Sequence, residues 1–508
     1  MMTTSTRVIK NTGFLYVKMG ITVFISLFST RLILASLGAS DFGVFNIVGG
    51  AIAMLGFLNS TMANATQRFM SYAEGEGNLV KKKQVFNVSM ILHLCVALAT
   101  GMFLLFAMYP LFNGIFNILP ERMFAAKVIY LSLIVSTMFT ITNVPYDSVM
   151  NAHENMFYYS LIGIVESLLK LAVAYVCVYT RSDKLIAYGV LMAIVPFITL
   201  SVMKVYCHRK YEECEIGFKR YWNGWLVRDI ASFSGWNFLT AVSSLASYYG
   251  AGLVLNHFFG TLLNAAQGIA NQINGQMSAF SLNLMKAVNP VIVKRAGARD
   301  VVAMNKATIA SGKYSTLLIV FFSVPFVLEM HYVLRLWLKE VPEWTMLFCC
   351  LQLVITVICQ MTSSAATSIY AQGDIKWYAI YKSVMNLSPI LVTYLAYSLG
   401  GAPYWLYVAM IVIWAIGGDI VVAHYASKFS GLSMCELLEG VVAPVICVAA
   451  LMAAIGYLPQ LFVQECFLRL LLSCMVTSVI FCLLVWQFVF RSQERSMVVS
   501  MLKSRFGK

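Results

Sequence analysis

Charge is what this sequence has least of. Only 11% of its 508 residues are Asp, Glu, Lys or Arg, whereas 60% are hydrophobic, a balance that no water-soluble domain of this size needs for its core. The chain also lacks the roughly ten-residue alternation of lipid-facing and lumen-facing side chains that barrel strands require, which excludes a transmembrane barrel. Paired Cys-x-x-Cys spacing is missing too. Of the twelve cysteines, Cys95, Cys177, Cys349, Cys350, Cys359, Cys447, Cys474 and Cys482 sit in apolar runs as small fillers, and Cys207, His208 and Cys214 form an isolated trio without a metal framework. No small-x-small cleavage site follows the first apolar run, so that run is expected to remain as a membrane helix. Outer loops are short, the longest covering 110–125, which leaves no room for an enzymatic domain outside the membrane.

What the sequence has instead is one apolar run after another. They cover 13–37, 43–66, 86–109, 126–150, 157–179, 184–206, 234–258, 262–289, 313–337, 344–371, 378–400, 403–427, 440–463 and 466–490. Each can cross about 30 Å of hydrocarbon at about 1.5 Å per residue. A bilayer core offers no water to backbone groups, so runs of this kind must be helices. The predicted fold class is an all-α polytopic membrane protein with about 14 transmembrane helices.

Lys and Arg residues set the expected orientation. Loops on one side carry Arg7, Lys10, Arg68, Lys81, Lys82, Lys83, Arg209, Lys210, Lys219, Arg220, Arg228, Lys294 and Arg295, among others, while the opposite side has only Arg122, Lys127, Arg181, Lys184, Arg335, Lys339 and Arg469. The positive-inside rule then places both termini in the cytoplasm. The net charge of +14 is accounted for by loops that meet anionic membrane lipids, and no nucleic-acid partner is expected.

A polar stretch over 206–230 separates six runs from eight. A shift of 222 to 224 residues lays Gly13 beside Asn237, Gly38 beside Gly260, Ile47 beside Ile269, Asn59 beside Ser281 and Gly75 beside Gly297. Six intervening runs, an even number, give both copies the same direction through the membrane and an axis along its normal. The expected organisation is a six-helix lobe over 1–206, a cytoplasmic linker over 207–233 and a second six-helix lobe over 234–430. An extra helix pair over 431–490 and a basic tail over 491–508 complete it, with the two lobes facing across a cleft.

Charges inside the runs need a partner or a wet cavity. Glu166 and Lys170 are four residues apart on one helix face and suit an ion pair, either for packing specificity or as a cavity-facing group that binds charge or carries a proton. Lys18 either snorkels to the headgroups or joins that cavity; Arg31, two turns inside the membrane, is harder to place at a surface. Asn264, Gln267, Asn271, Asn274, Ser278 and Ser281 recur at steps of three and four, a polar stripe that suits a cavity lining better than helix glue. Gly49, Ala53, Gly56 and Ser60 form a small-residue seam suited to close packing. Asp147 and Asp419 are further candidates, with Glu166, for proton or sodium coupling, and no other cofactor or metal is expected. Pro145, Pro196, Pro325, Pro389 and Pro444 are expected to interrupt their helices.

Thr30-Arg31-Leu32, then Leu37-Gly38-Ala39-Ser40-Asp41-Phe42-Gly43 and Ala65-Thr66-Gln67-Arg68-Phe69 resemble the polysaccharide biosynthesis flippases. These are the O-antigen and capsule exporters of the multidrug/oligosaccharidyl-lipid/polysaccharide exporter superfamily. The resemblance covers about the first seventy positions in residues and the whole chain in span count. It implies translocation of an undecaprenyl-diphosphate-linked oligosaccharide from the inner to the outer leaflet of the bacterial inner membrane by alternating access. Arg31 and Arg68 match the motif arginines, and basic cleft residues would meet the diphosphate. Partners implied are the lipid-linked oligosaccharide and, beyond it, a polysaccharide polymerase with chain-length machinery. Phe42 departs from the Tyr of many relatives, and fourteen spans bring the chain nearer the lipid II flippases.

The chemistry agrees, since a diphosphate needs fixed cations such as Lys18, Arg31 and Lys170, and a sugar needs neutral groups such as the amide stripe. The rival is a cation-coupled multidrug exporter of the same architecture, for which carboxylates without nearby lysines would be wanted. A membrane polymerase or transferase is a third reading, for which Glu329, His331 and Arg335 are the only approach to a polar cluster.

Overall fold

The computed structural model describes residues 4–53, 55–116, 118–338, 340–490 and 495–496. Lys339 and most of the basic tail over 491–508 lie outside the described residues. Every apolar run is helical, and among the described residues there is no strand. In chain order the helices are α1 (Thr4–Ala53), α2 (Gly56–Glu76), α3 (Leu79–Pro110), α4 (Met123–Ala152), α5 (Met156–Tyr179), α6 (Lys184–Lys210) and α7 (Gly224–Gly297). They continue with α8 (Val301–Leu328), α9 (Met330–Leu338), α10 (Thr345–Gln372), α11 (Lys376–Ser398), α12 (Trp405–Ala409) and α13 (Gly418–Ser430). Last come α14 (Met434–Leu437), α15 (Ala443–Gly456), α16 (Leu458–Phe462) and α17 (Phe467–Leu484).

Eleven helices among the described residues are long and apolar enough to cross a membrane, or twelve when the bent pair Ser40–Ala53 and Gly56–Glu76 counts as one span. The fourteen runs are reached because the 74-residue α7 takes up two of them and α11, diluted by Lys376 and Lys382, a further one. Side chains such as Phe24, Phe106 and Phe462 are 74%, 80% and 84% exposed. A surface so apolar has only lipid as a suitable solvent, which makes this a multi-pass all-α membrane protein.

The breaks within helices fall at glycine. Gly38 (φ 78, ψ 167) interrupts α1, and Gly260 (φ 77, ψ −171) interrupts α7, both in a backbone region that is essentially closed to other residues. Arg7 and Glu74 both reach the turn at His153 and Glu154, so the chain reverses direction between them at Gly38. The prolines behave differently from expectation: Pro145, Pro196, Pro325 and Pro389 lie inside helices without ending them. Each forfeits one backbone bond, a loss that tightly packed membrane helices absorb. Pro444 sits at the start of α15, after a π-turn over Leu438–Val442.

The chain forms two compact units, Met1–Ala241 with Lys286–Asp300, and Val242–Met285 with Val301–Lys508. The linker therefore belongs to the first unit, and α7 contributes to both. In the first unit α4 packs most extensively on α6, and α1 on α5, around cores built on Val48, Ile129, Tyr130 and Leu185 and on Ile33, Ala174 and Cys177. Of the two glycines in the small-residue seam, Gly49 lies where a Cβ would meet Leu133 at 3.9 Å, and Gly56 where one would meet nothing within 4 Å. In the second unit α10 packs on α8 and α13, and α15 on α8 and α17. Its core centres on Leu255, Ala266, Phe348, Cys349 and Tyr407.

Candidate functional site

Tyr159 of α5 organises the polar interior of the first unit. The Lys18 ammonium lies 4.3 Å from the ring centroid, and Lys286 of α7 lies 3.8 Å from it while donating a hydrogen bond to the phenol oxygen. Room for Lys18 comes from Gly163, where a Cβ would stand 2.6 Å from the Lys18 Nζ. Asp147 of α4 feels both ammonium groups, and Glu166 as a like charge. All of these side chains are partly buried. Two ammonium groups meeting one aromatic ring, both within the electrostatic reach of the Asp147 carboxylate, leave a positive seat suited to a small anionic group.

One turn along α5, Lys170 donates to Glu166 at 2.6 Å, the intrahelical pair read from the sequence. Both ends are substantially exposed, so the pair is not sealed between helices. Lys170 lines a groove of about 470 Å³ with Thr22, Ser26, Ser29, Thr30 and Ser167. Arg31 is exposed, one residue beyond this hydroxyl row, and makes no ion pair or hydrogen bond among the described residues. Arg68 is placed elsewhere, with its guanidinium 4.4, 5.1 and 5.5 Å from the rings of Phe69, Tyr72 and Phe233.

The amide stripe divides by neighbour. Gln267 is buried and, with Asn264, packs over Gly252, whose Cβ would lie 3.2 and 3.3 Å from their side-chain oxygens. Asn274 accepts hydrogen bonds from Thr356 at 2.5 Å and Ser278 at 3.3 Å. Asn271 is partly exposed. Half of the stripe thus joins helices of the second unit. Asp419 accepts a 2.6 Å bond from Thr362 at the edge of an apolar chamber of about 600 Å³ that Val320, Leu353, Ile416 and Ile446 also line.

Glu329, His331 and Arg335 do not surround an open face. Glu329 is bound by Arg469 at 3.1 and 2.8 Å and by Ser473 at 2.7 Å, while His331 and Arg335 reach Glu465 at 2.8 and 3.8 Å. This lattice fastens α17 to the α8–α9 corner.

Glu74, His153 and Glu213 bring ligand-type atoms within 4.8 Å of one another. Glu74 is already engaged by Lys82 at 2.8 Å and Lys294 at 3.4 Å, and Glu154 by Arg7 at 3.5 Å and Lys294 at 3.7 Å. Three carboxylates meet three fixed cations plus an imidazole, so the charge closes without a metal. The trio Cys207, His208 and Cys214 is likewise spent on packing, with His208 against the Tyr146 hydroxyl at 3.2 Å.

Glu213 makes the lattice sensitive to acid. Burial alone would raise its carboxyl, but the hydrogen bond from His153, the His153 charge and Lys82 hold it below the ordinary 4.5. A carboxylate depressed in this way stabilises the fold above its unfolded value and loses that contribution as pH falls through its folded one. Amide-exchange protection of the linker around Tyr211 and Gly217 is therefore expected to fall as the pH drops below about 4.5. Glu213→Gln should abolish the acid step; an unchanged step would assign it to another group.

Lys286 and Tyr159 were missed by the sequence reading. The available signal was a lone lysine inside the eighth apolar run.

Neither a protein-family model nor a curated protein matches the chain. Solved structures do. An outward-facing multidrug resistance MATE family transporter of the MOP superfamily is similar with a TM-score of 0.72 at 12% identity, over 84% of this chain and 96% of that one. A MATE transporter in a bent conformation is similar with a TM-score of 0.68 at 14% identity, over 88% and 97%. A MOP superfamily transporter from Pyrococcus furiosus, described by the reverse polarity of its binding pocket, is similar with a TM-score of 0.69 at 14% identity, over 84% and 96%. At such identities the likeness is one of fold, and the fold is that of MATE transporters in the MOP superfamily.

Proposed function

We propose that this protein is a transporter of an anionic lipid-linked oligosaccharide, moving an undecaprenyl-diphosphate-linked repeat unit from the inner to the outer leaflet by alternating access. The cations around the Tyr159 ring and the groove beside it carry this reading: Lys18, Lys170 and Lys286 gather there with Asp147 and Glu166, and Arg31 lies exposed at the end of the hydroxyl row. A diphosphate entering hydrocarbon needs fixed cations that can also donate hydrogen bonds, and the Lys18–Tyr159–Lys286 seat offers them. The hydroxyls beside Lys170 suit a sugar, which asks for neutral donors and acceptors. The neighbour described by reversed pocket polarity offers a parallel within the same fold.

A cation-coupled multidrug exporter is the second reading. It is favoured by Asp419, held by Thr362 beside an apolar chamber that would accept a greasy cation, and by the multidrug description of one neighbour. Under either reading Asp147 and Asp419 are the carboxylates proposed for proton or sodium coupling.

Complementation separates the two. In a strain lacking its surface-glycan exporter, this protein is expected to restore glycan, and Lys286→Met or Lys18→Met to reduce export at least about tenfold at equal membrane abundance, the scale of one lost charge-assisted contact. Tyr159→Phe should retain most activity. Restored drug resistance without glycan export would overturn the proposal in favour of the multidrug exporter, and full glycan export by both lysine variants would remove the Tyr159 seat from transport.

A further inference from the structure

The joint between α6 and α7 displays its large apolar side chains instead of hiding them. Ile216, Phe218, Trp222 and Trp225 are 46%, 44%, 52% and 76% exposed. This display is built rather than slack. Buried Asn87 of α3 accepts the Gly217 N–H at 2.8 Å and donates to the Glu215 carbonyl at 2.8 Å. Lys83 binds the Glu215 carboxylate at 2.5 Å, and the Tyr221 hydroxyl donates to it at 3.0 Å. Asn223 caps α7 at the Leu226 N–H. Tyr221 turns inward while its neighbours turn out, so the outward set is fixed by the loop's own hydrogen bonds.

The joint connects the ends of two membrane-crossing helices, which confines it to one membrane surface. Exposed cations crowd it: Arg209, Lys210, Lys219, Arg220 and Arg228, against Glu212 and Asp229, while Glu215 is paired with Lys83 and lies 3.6 Å from the still largely exposed Arg220. Aromatic side chains prefer the headgroup layer, and Lys and Arg are drawn to anionic lipid phosphates. We infer that this segment is a rigid lipid-surface anchor, in which Ile216, Phe218, Trp222 and Trp225 enter the headgroup layer of the adjoining leaflet and Lys219 and Arg220 engage anionic lipid. The inference holds whichever solute is carried.

Tryptophan quenching in proteoliposomes tests it, with the contribution of Trp222 and Trp225 taken as the difference between the protein and its Trp222→Phe/Trp225→Phe variant. Lipids brominated near the headgroup should quench this contribution severalfold more than lipids brominated near the chain end. Adding phosphatidylglycerol to phosphatidylcholine vesicles should deepen the quenching, and Lys219→Gln/Arg220→Gln should cancel that gain. Iodide from the water phase quenching both tryptophans as fully as free tryptophan would overturn the anchor. So would shielding that appears only when a soluble protein fraction is added, which would give the surface to a protein partner.

Discussion

Alanine at Gly75 is expected to unseat the contact between α2 and the end of α7. An added Cβ would stand 2.0 Å from the Lys294 carbonyl oxygen, and the same methyl at Gly297 would stand 2.1 Å from the Tyr72 carbonyl oxygen. Both obstacles are backbone atoms inside helices and cannot rotate away, so one helix must shift. Overpacking usually costs about 1–3 kcal/mol, and with no yielding side chain the loss should reach the top of that range or exceed it. The shift would also pull apart the ion pair between Glu74, next to Gly75, and Lys294, whose carbonyl is the obstacle. Thermal aggregation of detergent-purified Gly75→Ala and Gly297→Ala should begin well below that of the parent, with Gly13→Ala, which meets nothing within 4 Å, as the control. Unchanged stability in both variants would mean that the helices do not cross as closely as described.

The second large effect concerns the tether of α17. Glu329 is fully buried and Arg469 nearly so, with two hydrogen bonds between them and a third from Ser473. Removing Arg469 strands the Glu329 charge in an apolar surround, which typically costs about 3–5 kcal/mol, whereas removing Glu329 leaves Arg469 still 3.7 Å from Glu465. Arg469→Ala and Glu329→Ala should each release α17 and expose its bonds to proteolysis. The double replacement Glu329→Leu/Arg469→Met leaves no orphaned charge and should lose much less than either single change. If the double variant loses as much as the sum of the singles, the pair acts through packing alone.

Position along the chain was legible wherever lipid dictates the answer. An apolar run of twenty residues has few alternatives to a helix in a bilayer, and each run is one. The shared bend was legible for a related reason, since Gly38 and Gly260, 222 residues apart, both occupy a backbone region essentially closed to other residues. Prolines are poor markers of helix ends in a membrane, because neighbouring helices hold the shape around one missing bond. In the interior, Glu166 and Lys170 found each other because their pairing is local, four residues along one helix. Lys286 and Tyr159 are 127 residues apart, and helical periodicity carries no information about a partner on another helix. The amide stripe shows the same limit, because spacing defined the face while Gly252 and Thr356 decided what it meets. Arg68 matches a motif, yet its aromatic surround ties it to Tyr72 and Phe233.

The glycine bends shared by Gly38 and Gly260 let the two copies be compared position by position, and their chemistry has parted company. At the same offset of 222, Lys18 corresponds to Thr240 and Arg31 to Leu253, while Asn264, Gln267, Asn271 and Asn274 correspond to Phe42, Phe45, Gly49 and Ile52. One stretch carries the cations and the other the amides. Neither stretch alone holds both sets of groups, so a solute that needs cations and amides together needs both stretches.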